Sequence, residues 1–217
     1  MNLQQARFNM VEQQIRTWEV LDHVVLDLLE QAPRHEYVPP AYRNLAYADI
    51  AVPLGDGEVM MPPRVEARLL QSLCIGAGDR ALEIGTGSGF LTSLLASLAR
   101  EVISLEISDT LAEMGARNLS EHGIANVLLE RGDGVHGWEK HAPYDVIAVT
   151  GSVPILERHF QQQLAVGGRL FVIVGEAPAM EALLIRRSGE DQWFAESLFE
   201  TVIPKLKGAK EPERFVL

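Results

Sequence analysis

Apolar residues between Leu3 and Gln31 recur at three- and four-residue spacing: Phe8, Val11 and Ile15, then Val25, Leu28 and Leu29 after a break at Trp18 to Leu21. That spacing predicts amphipathic helices ahead of the first strong strand. The pattern returns from Arg64 to Cys74, where Val65, Leu69 and Leu73 mark one face. Beyond it, short and nearly continuous apolar runs alternate with helical stretches. Strands are expected at Arg80 to Ile84, Val102 to Glu106, Asn126 to Glu130, Asp145 to Thr150 and Arg169 to Val174, and two more near Ala182 to Arg187 and Phe194 to Ile203. Strands that are apolar on both sides and separated by helices belong to a parallel sheet covered on both faces. The expected fold is therefore α/β: a doubly wound, mostly parallel sheet of about seven strands with an N-terminal helical cap. One domain spans 1–217, with a cap and loop over 1–62 and the sheet core over 63–217.

Between the cap and the core lies "APRHEYVPPAYRNLAYADIAVPLGDGEVMMPP", punctuated by proline and glycine as functional loops are. Its length demands an explanation. Composition changes the picture only by exclusion. The chain is 47% apolar and 23% charged, which argues against extended disorder. Nineteen basic against 30 acidic residues give a net charge of −11, so a nucleic-acid partner is not expected. Lys205, Lys207 and Lys210 in "PKLKGAK" are read as a solvated loop. The single cysteine, Cys74, excludes an intrachain disulfide and a cysteine metal cluster, and is expected to be a small buried hydrophobe. The N-terminal "MNLQQARFNMVEQQIR" lacks the apolar core of a signal peptide and no run approaches a membrane span, so a cytoplasmic location is expected.

Candidate chemistry begins in "ALEIGTGSGF", a strand entering a turn whose glycines are Gly85, Gly87 and Gly89. A dinucleotide fingerprint would place its third glycine where Phe90 stands. A turn of this form brings backbone close to a ligand with no pyrophosphate to cradle, and S-adenosylmethionine is such a ligand. Glu106 closes the next strand, 21 residues after Gly85, where a doubly wound fold sets an acid against ribose hydroxyls. The third strand leads into "RGDG"; Asp133 is assigned to the adenine amino group, with Gly132 and Gly134 admitting the ring. Glu83 and Thr86 complete the cofactor set, Glu83 acting through the turn backbone, on the ligand's ammonium group, or structurally. No metal site is expected, and His35, His122, His136 and His141 are read mainly as structural.

The motifs "MVEQQI", "VLDLLEQAPRHEYVP", "AYADIAVPLGDG", "LEIGTGSGF", "GDGVHGW", "YDVIAVTGS" and "QLAVGGRLFVIVG" together resemble those of the protein-L-isoaspartate O-methyltransferases over most of the chain. The glycine turn is shared with many methyltransferases, whereas "PRHEYVP" and the "GDG…GW" pairing are far more family-specific. The resemblance implies a Rossmann-like class I methyltransferase fold and S-adenosylmethionine as donor. It also implies protein repair, by methylation of the free carboxylate of isoaspartyl and D-aspartyl residues in damaged proteins. A carboxylate is already ionised at neutral pH, so such a reaction needs positioning and water exclusion rather than a general base.

One segment departs from the family. Where it typically carries a "QTIS"-like run, with Thr and Ser hydroxyls beside the transferred methyl and the substrate, this chain has Glu58, Val59, Met60 and Met61. Glu58, Val59 and Met61 are thus the substrate-loop candidates. Glu58 facing the pocket would repel an anionic acceptor. Three further readings therefore stand beside isoaspartyl repair: a methyltransferase of the same fold with another acceptor, a binding module that keeps the nucleoside without turnover, and, remotely, a nicotinamide dehydrogenase. Apolar residues in a loop before a helix can also simply pack against that helix.

Overall fold

A computed structural model describes residues 2–213. Helix α1 (Leu3–Asn9) runs without a break into a π-helical turn at Met10–Ile15 and a 3-10 turn at Arg16–Trp18. Glu19 then takes a left-handed conformation (φ 61°) and ends the helix, at the break seen in the periodicity. Helix α2 (His23–Gln31) starts at Asp22, whose carboxylate caps the Val24 N–H at 2.8 Å. Gln71 ties this cap to helix α3 (Pro63–Leu73) by accepting from the Leu21 and Asp22 amides at 2.7 and 2.9 Å.

The long punctuated stretch is not a plain loop. It folds into two 3-10 turns, Arg34–Glu36 and Pro40–Leu45, and an antiparallel hairpin of β1 (Val52–Gly55) and β2 (Glu58–Met60). The core strands are β3 (Arg80–Ile84), β4 (Glu101–Glu106), β5 (Val127–Arg131), β6 (Tyr144–Val153), β7 (Leu164–Glu176), β8 (Ala179–Gly189) and β9 (Gln192–Thr201). They form one sheet in the order β5-β4-β3-β6-β7-β8-β9. Pairings from β5 to β7 are parallel, and β8 and β9 add as antiparallel hairpins. Helices α4 (Phe90–Leu98), α5 (Asp109–Glu121) and the short α6 (His159–Gln162) provide crossovers.

Alternation along the strands sorts the core onto two faces. Ala81, Val102, Val146 and Phe171 join Val11, Ile15, Leu26 and Leu69 in one apolar cluster, so the N-terminal cap packs into the same core as the sheet. Leu82, Ile103, Ile147 and Leu170 form the other. The chain leaves β3 for β4 and β5 on one side and returns to β6 on the other. That reversal opens a crevice at the carboxyl ends of β3 and β6, where open α/β sheets bind ligands.

Candidate active site

The turn after β3 is held by β4: the Gly85 and Thr86 amides both donate to the Leu105 carbonyl, at 2.8 and 3.1 Å. Gly85 has φ +97°, and a Cβ there would lie 2.2 Å from Thr150 Oγ1. Thr150 needs that space, since its hydroxyl donates to the Ile84 and Gly85 carbonyls at 2.8 and 3.0 Å. Gly87, at φ +54°, faces Leu54 of the hairpin, 3.2 Å from where its Cβ would be. Both glycines border the crevice with backbone, and a side chain at either would strain the turn and displace Thr150 or Leu54.

Glu106 is buried against this turn. Its Oε2 accepts the Gly87 N–H at 2.8 Å and its Oε1 the Ser108 N–H at 3.0 Å. Each carboxylate oxygen has a further lone pair to offer a ligand. Asp133 is exposed at the start of the loop after β5, its Oδ1 accepting from the Val135 N–H at 3.0 Å. The neighbouring glycines have packing reasons of their own. A Cβ on Gly132 would sit 3.1 Å from the Trp138 ring, which accounts physically for the "GDG…GW" pairing, and one on Gly134 would sit 2.8 Å from Ile84.

These groups line one cleft of about 920 Å³, open solvent at its mouth included. Gly85, Thr86, Gly87, Glu106, Asp133 and Gly134 all border it, as do Glu58, Val59, Met60 and Met61. The substrate-loop candidates thus face the same space as the turn, although Met60 and Met61 are also largely buried. Glu83 and Gly89 are not among the lining residues. Gly89 starts α4 and lies against the Gly115 carbonyl of α5. Glu83 is fully buried beneath the turn; its Oε2 accepts from Thr92 at 2.5 Å and from Ser104 at 2.6 Å, and Ser104 meets the Thr86 hydroxyl at 2.6 Å. Its influence on the turn therefore runs through Ser104 and Thr86. Burial pushes the Glu83 carboxyl up from its ordinary 4.5 to about 8, against the pull of the two hydroxyls, and Oε1 has no hydrogen-bond partner among the described residues.

Phe90, in place of a third glycine, is buried edge-on to Tyr37 with centroids 5.4 Å apart, and the Arg34 guanidinium lies 4.9 Å from its ring centre. Arg34 is itself buried. It ion-pairs with Glu66 and donates to the Met61 carbonyl at 2.6 Å and the Ala46 carbonyl at 2.8 Å. Burial pushes the Glu66 carboxyl up and Arg34 pulls it back. The "PRHEYVP" segment is thus the brace that fixes the start of α4 and the end of the substrate loop.

Sequence reasoning missed what covers the cleft. The stretch 204–207, expected as solvated loop, pairs with the end of β6: the Ser152 amide donates to the Pro204 carbonyl and the Leu206 amide to the Ser152 carbonyl, both at 2.9 Å. Lys205 and Lys207 line the cleft. Lys207 Nζ lies 3.0 Å from Glu58 Oε1, and that carboxylate pushes the ammonium pKa up. The Ser108 hydroxyl donates to Asp56 at the hairpin tip at 2.7 Å. Cys74 is also corrected: it is exposed, in a left-handed conformation that ends α3. A residue closing a helix points away from the face that its spacing suggests.

The model of the Protein-L-isoaspartate(D-aspartate) O-methyltransferase family matches residues 5–206. The chain belongs to that family. Protein-L-isoaspartate O-methyltransferase 2 of Pelobacter propionicus is 36% identical over 210 residues, 96% of this chain and 93% of its own length. Protein-L-isoaspartate O-methyltransferase 1 of Rhodopseudomonas palustris is 38% identical over 203 residues, 93% of this chain and 83% of its own. Among solved structures, a protein-L-isoaspartate O-methyltransferase superposes with a TM-score of 0.81 at 25% identity, over 93% of this chain and 66% of that one. A Plasmodium falciparum structure in complex with S-adenosyl-L-homocysteine gives 0.78 at 22% identity, over 93% and 98%, a likeness of fold. The chain is an enzyme of the isoaspartyl methyltransferase family, with the class I methyltransferase sheet and S-adenosylmethionine as its donor. No helix of the described residues is long and apolar enough to cross a membrane.

Proposed function

We propose that the cleft holds S-adenosylmethionine with its ribose on Glu106, its adenine beside Asp133 and Gly134, and its methionyl end along Gly85 to Gly87. Glu58 and Val59 of the hairpin and Met61 just after it then form the acceptor side, and the acceptor is the free carboxylate of an isoaspartyl residue in a damaged protein. The observation that carries this reading is the convergence on Glu106: both oxygens are held by backbone amides while keeping lone pairs toward the cleft. When bound, the donor supplies a sulfonium methyl that an ionised carboxylate accepts without a general base.

What this chain supplies is position and exclusion of water. Gly85 and Gly87 allow backbone contact; Val59, Met60 and Met61 keep the acceptor side apolar. The expected repulsion by Glu58 is answered by Lys207, whose ammonium neutralises it and leaves a carboxylate acceptor a balanced entrance. In place of the Thr and Ser hydroxyls at Val59 and Met61, backbone amides and these charged groups orient the substrate. The reading favours a cytoplasmic protein with protein carboxylates as partners and no role for nucleic acid. Soaking crystals with S-adenosylhomocysteine tests the placement. Density for the ribose diol on Glu106 supports it, and a nucleoside bound elsewhere overturns it.

A further inference from the structure

Three side chains outside the cleft lining point at one spot. His136 stands on the loop after β5, Glu157 on the turn before α6, and His159 is the first residue of that helix. One ligand atom from each lies within 4.8 Å of the other two. Glu157 Oε2 is 3.8 Å from His136 Nδ1 and 3.7 Å from His159 Nε2. Those separations are too long for hydrogen bonds, yet nitrogen faces carboxylate oxygen in both. Ligands held tetrahedrally at roughly 2.0 to 2.2 Å from one ion stand about 3.3 Å apart, so modest side-chain rotation closes the set. The three are exposed enough to make it, at 66, 32 and 45%.

We propose that His136, Glu157 and His159 bind a Zn²⁺ ion, with water in the fourth position. Two imidazoles and a carboxylate suit Zn²⁺, whereas Mg²⁺ and Ca²⁺ ask for oxygen ligands throughout. The backbone that carries the ligands is anchored. Gln163 donates to the His136 carbonyl at 2.9 Å and accepts from the Trp138 amide at 2.7 Å, and Phe160 is buried between His159 and Gln163 in sequence. Lys210 lies 3.3 Å from Glu157 Oε1, the oxygen that does not face the histidines, so Oε2 is left to the ion. The ion would staple the loop that carries Asp133 to the turn before α6. Chain separation conceals the site, because His136 lies far upstream of the Glu157-x-His159 pair and no local motif joins them.

The test is calorimetric titration of the untagged, chelator-treated full chain with ZnCl₂, with thermal melts alongside. One equivalent is expected to bind and to raise Tm. His136→Ala and His159→Ala should each weaken binding by at least about tenfold, since losing a ligand costs no less than losing a hydrogen-bond partner of one, and His141→Ala should leave it unchanged. Because the ligands are exposed, the metal-free Tm of each variant should match the parent. The assignment is overturned if no equivalent binds, if affinity survives both ligand substitutions, or if His141→Ala weakens it as much as they do.

Discussion

Replacing Glu106 with alanine removes two acceptor oxygens from the crevice at the end of β4, and the magnitude follows from their surroundings. Each hydrogen bond to an ionised group in a buried setting contributes about 1.5 to 3 kcal/mol. Glu106 is only 6% exposed, so water replaces those bonds poorly. Two lost ribose bonds therefore remove at least about 3 kcal/mol, more than about a hundredfold in affinity at 1.4 kcal/mol per factor of ten. The same carboxylate also accepts from the Gly87 and Ser108 amides, so part of any loss could come from a relaxed turn. A pair of ligands separates the two effects. Calorimetry with S-adenosylhomocysteine and its 2′-deoxy analogue should show a penalty for the missing hydroxyl in the parent and almost none in Glu106→Ala, because the partner is already gone. A folded variant that binds within about threefold of the parent would refute the ribose assignment. So would a deoxy penalty that persists undiminished.

Two further outcomes follow from charged groups around the site. Glu83 has a folded-state pKa raised to about 8, so its contribution to stability is fully present below its ordinary value of 4.5 and is lost as pH rises through about 8. Thermal melts from pH 6 to 9 should show the parent losing stability relative to Glu83→Gln, by up to about 1.4 kcal/mol per pH unit until pH 8; parallel curves would mean that Glu83 is already ionised in the fold. Lys207→Ala exposes Glu58 at the cleft mouth and should raise KM for an anionic peptide acceptor. For a partly exposed pair the effect is about 0.2 to 1 kcal/mol, at most about fivefold, and it should shrink with added salt and vanish when Glu58→Gln is combined with it. An unchanged KM at low salt would place Glu58 away from the acceptor.

Elements whose character is set by local chain chemistry could be read without coordinates. Strand β3 matched its expected bounds and β4 began one residue earlier than expected, because a buried parallel strand is a nearly unbroken apolar run and glycine ends "ALEIG" abruptly. The turn, Glu106 and Asp133 followed from strand ends alone. The hairpin of β1 and β2 did not, since four and three residues carry too little periodicity and Pro53 interrupts the pattern. Strand β6 extends to Val153 rather than stopping at Thr150 because, past an irregularity in register, Ser152 and Val153 still pair with Ile173 and Val174 of β7, and the segment after Pro204 bridges Ser152 from the other side. Contacts between distant segments were equally silent. Lys207 meets Glu58 only because the chain returns over the cleft after β9, and a lysine-rich loop reads as solvated until that return is known. Phe90 read as a missing glycine; its positive reason, a seat against Tyr37 and Arg34, needed the brace to be seen.

The most direct test of the repair reading is methyl transfer from methyl-labelled S-adenosylmethionine to a matched pair of peptides, identical except that one carries an isoaspartyl and the other a normal aspartyl residue. The label should enter the isoaspartyl peptide as a base-labile ester, with the aspartyl peptide unmodified at equal concentration, and Glu106→Ala should lower kcat/KM for donor by at least the factor lost in binding. Label entering both peptides equally, or neither while S-adenosylhomocysteine binds normally, would contradict the assignment of this cleft to isoaspartyl carboxylates.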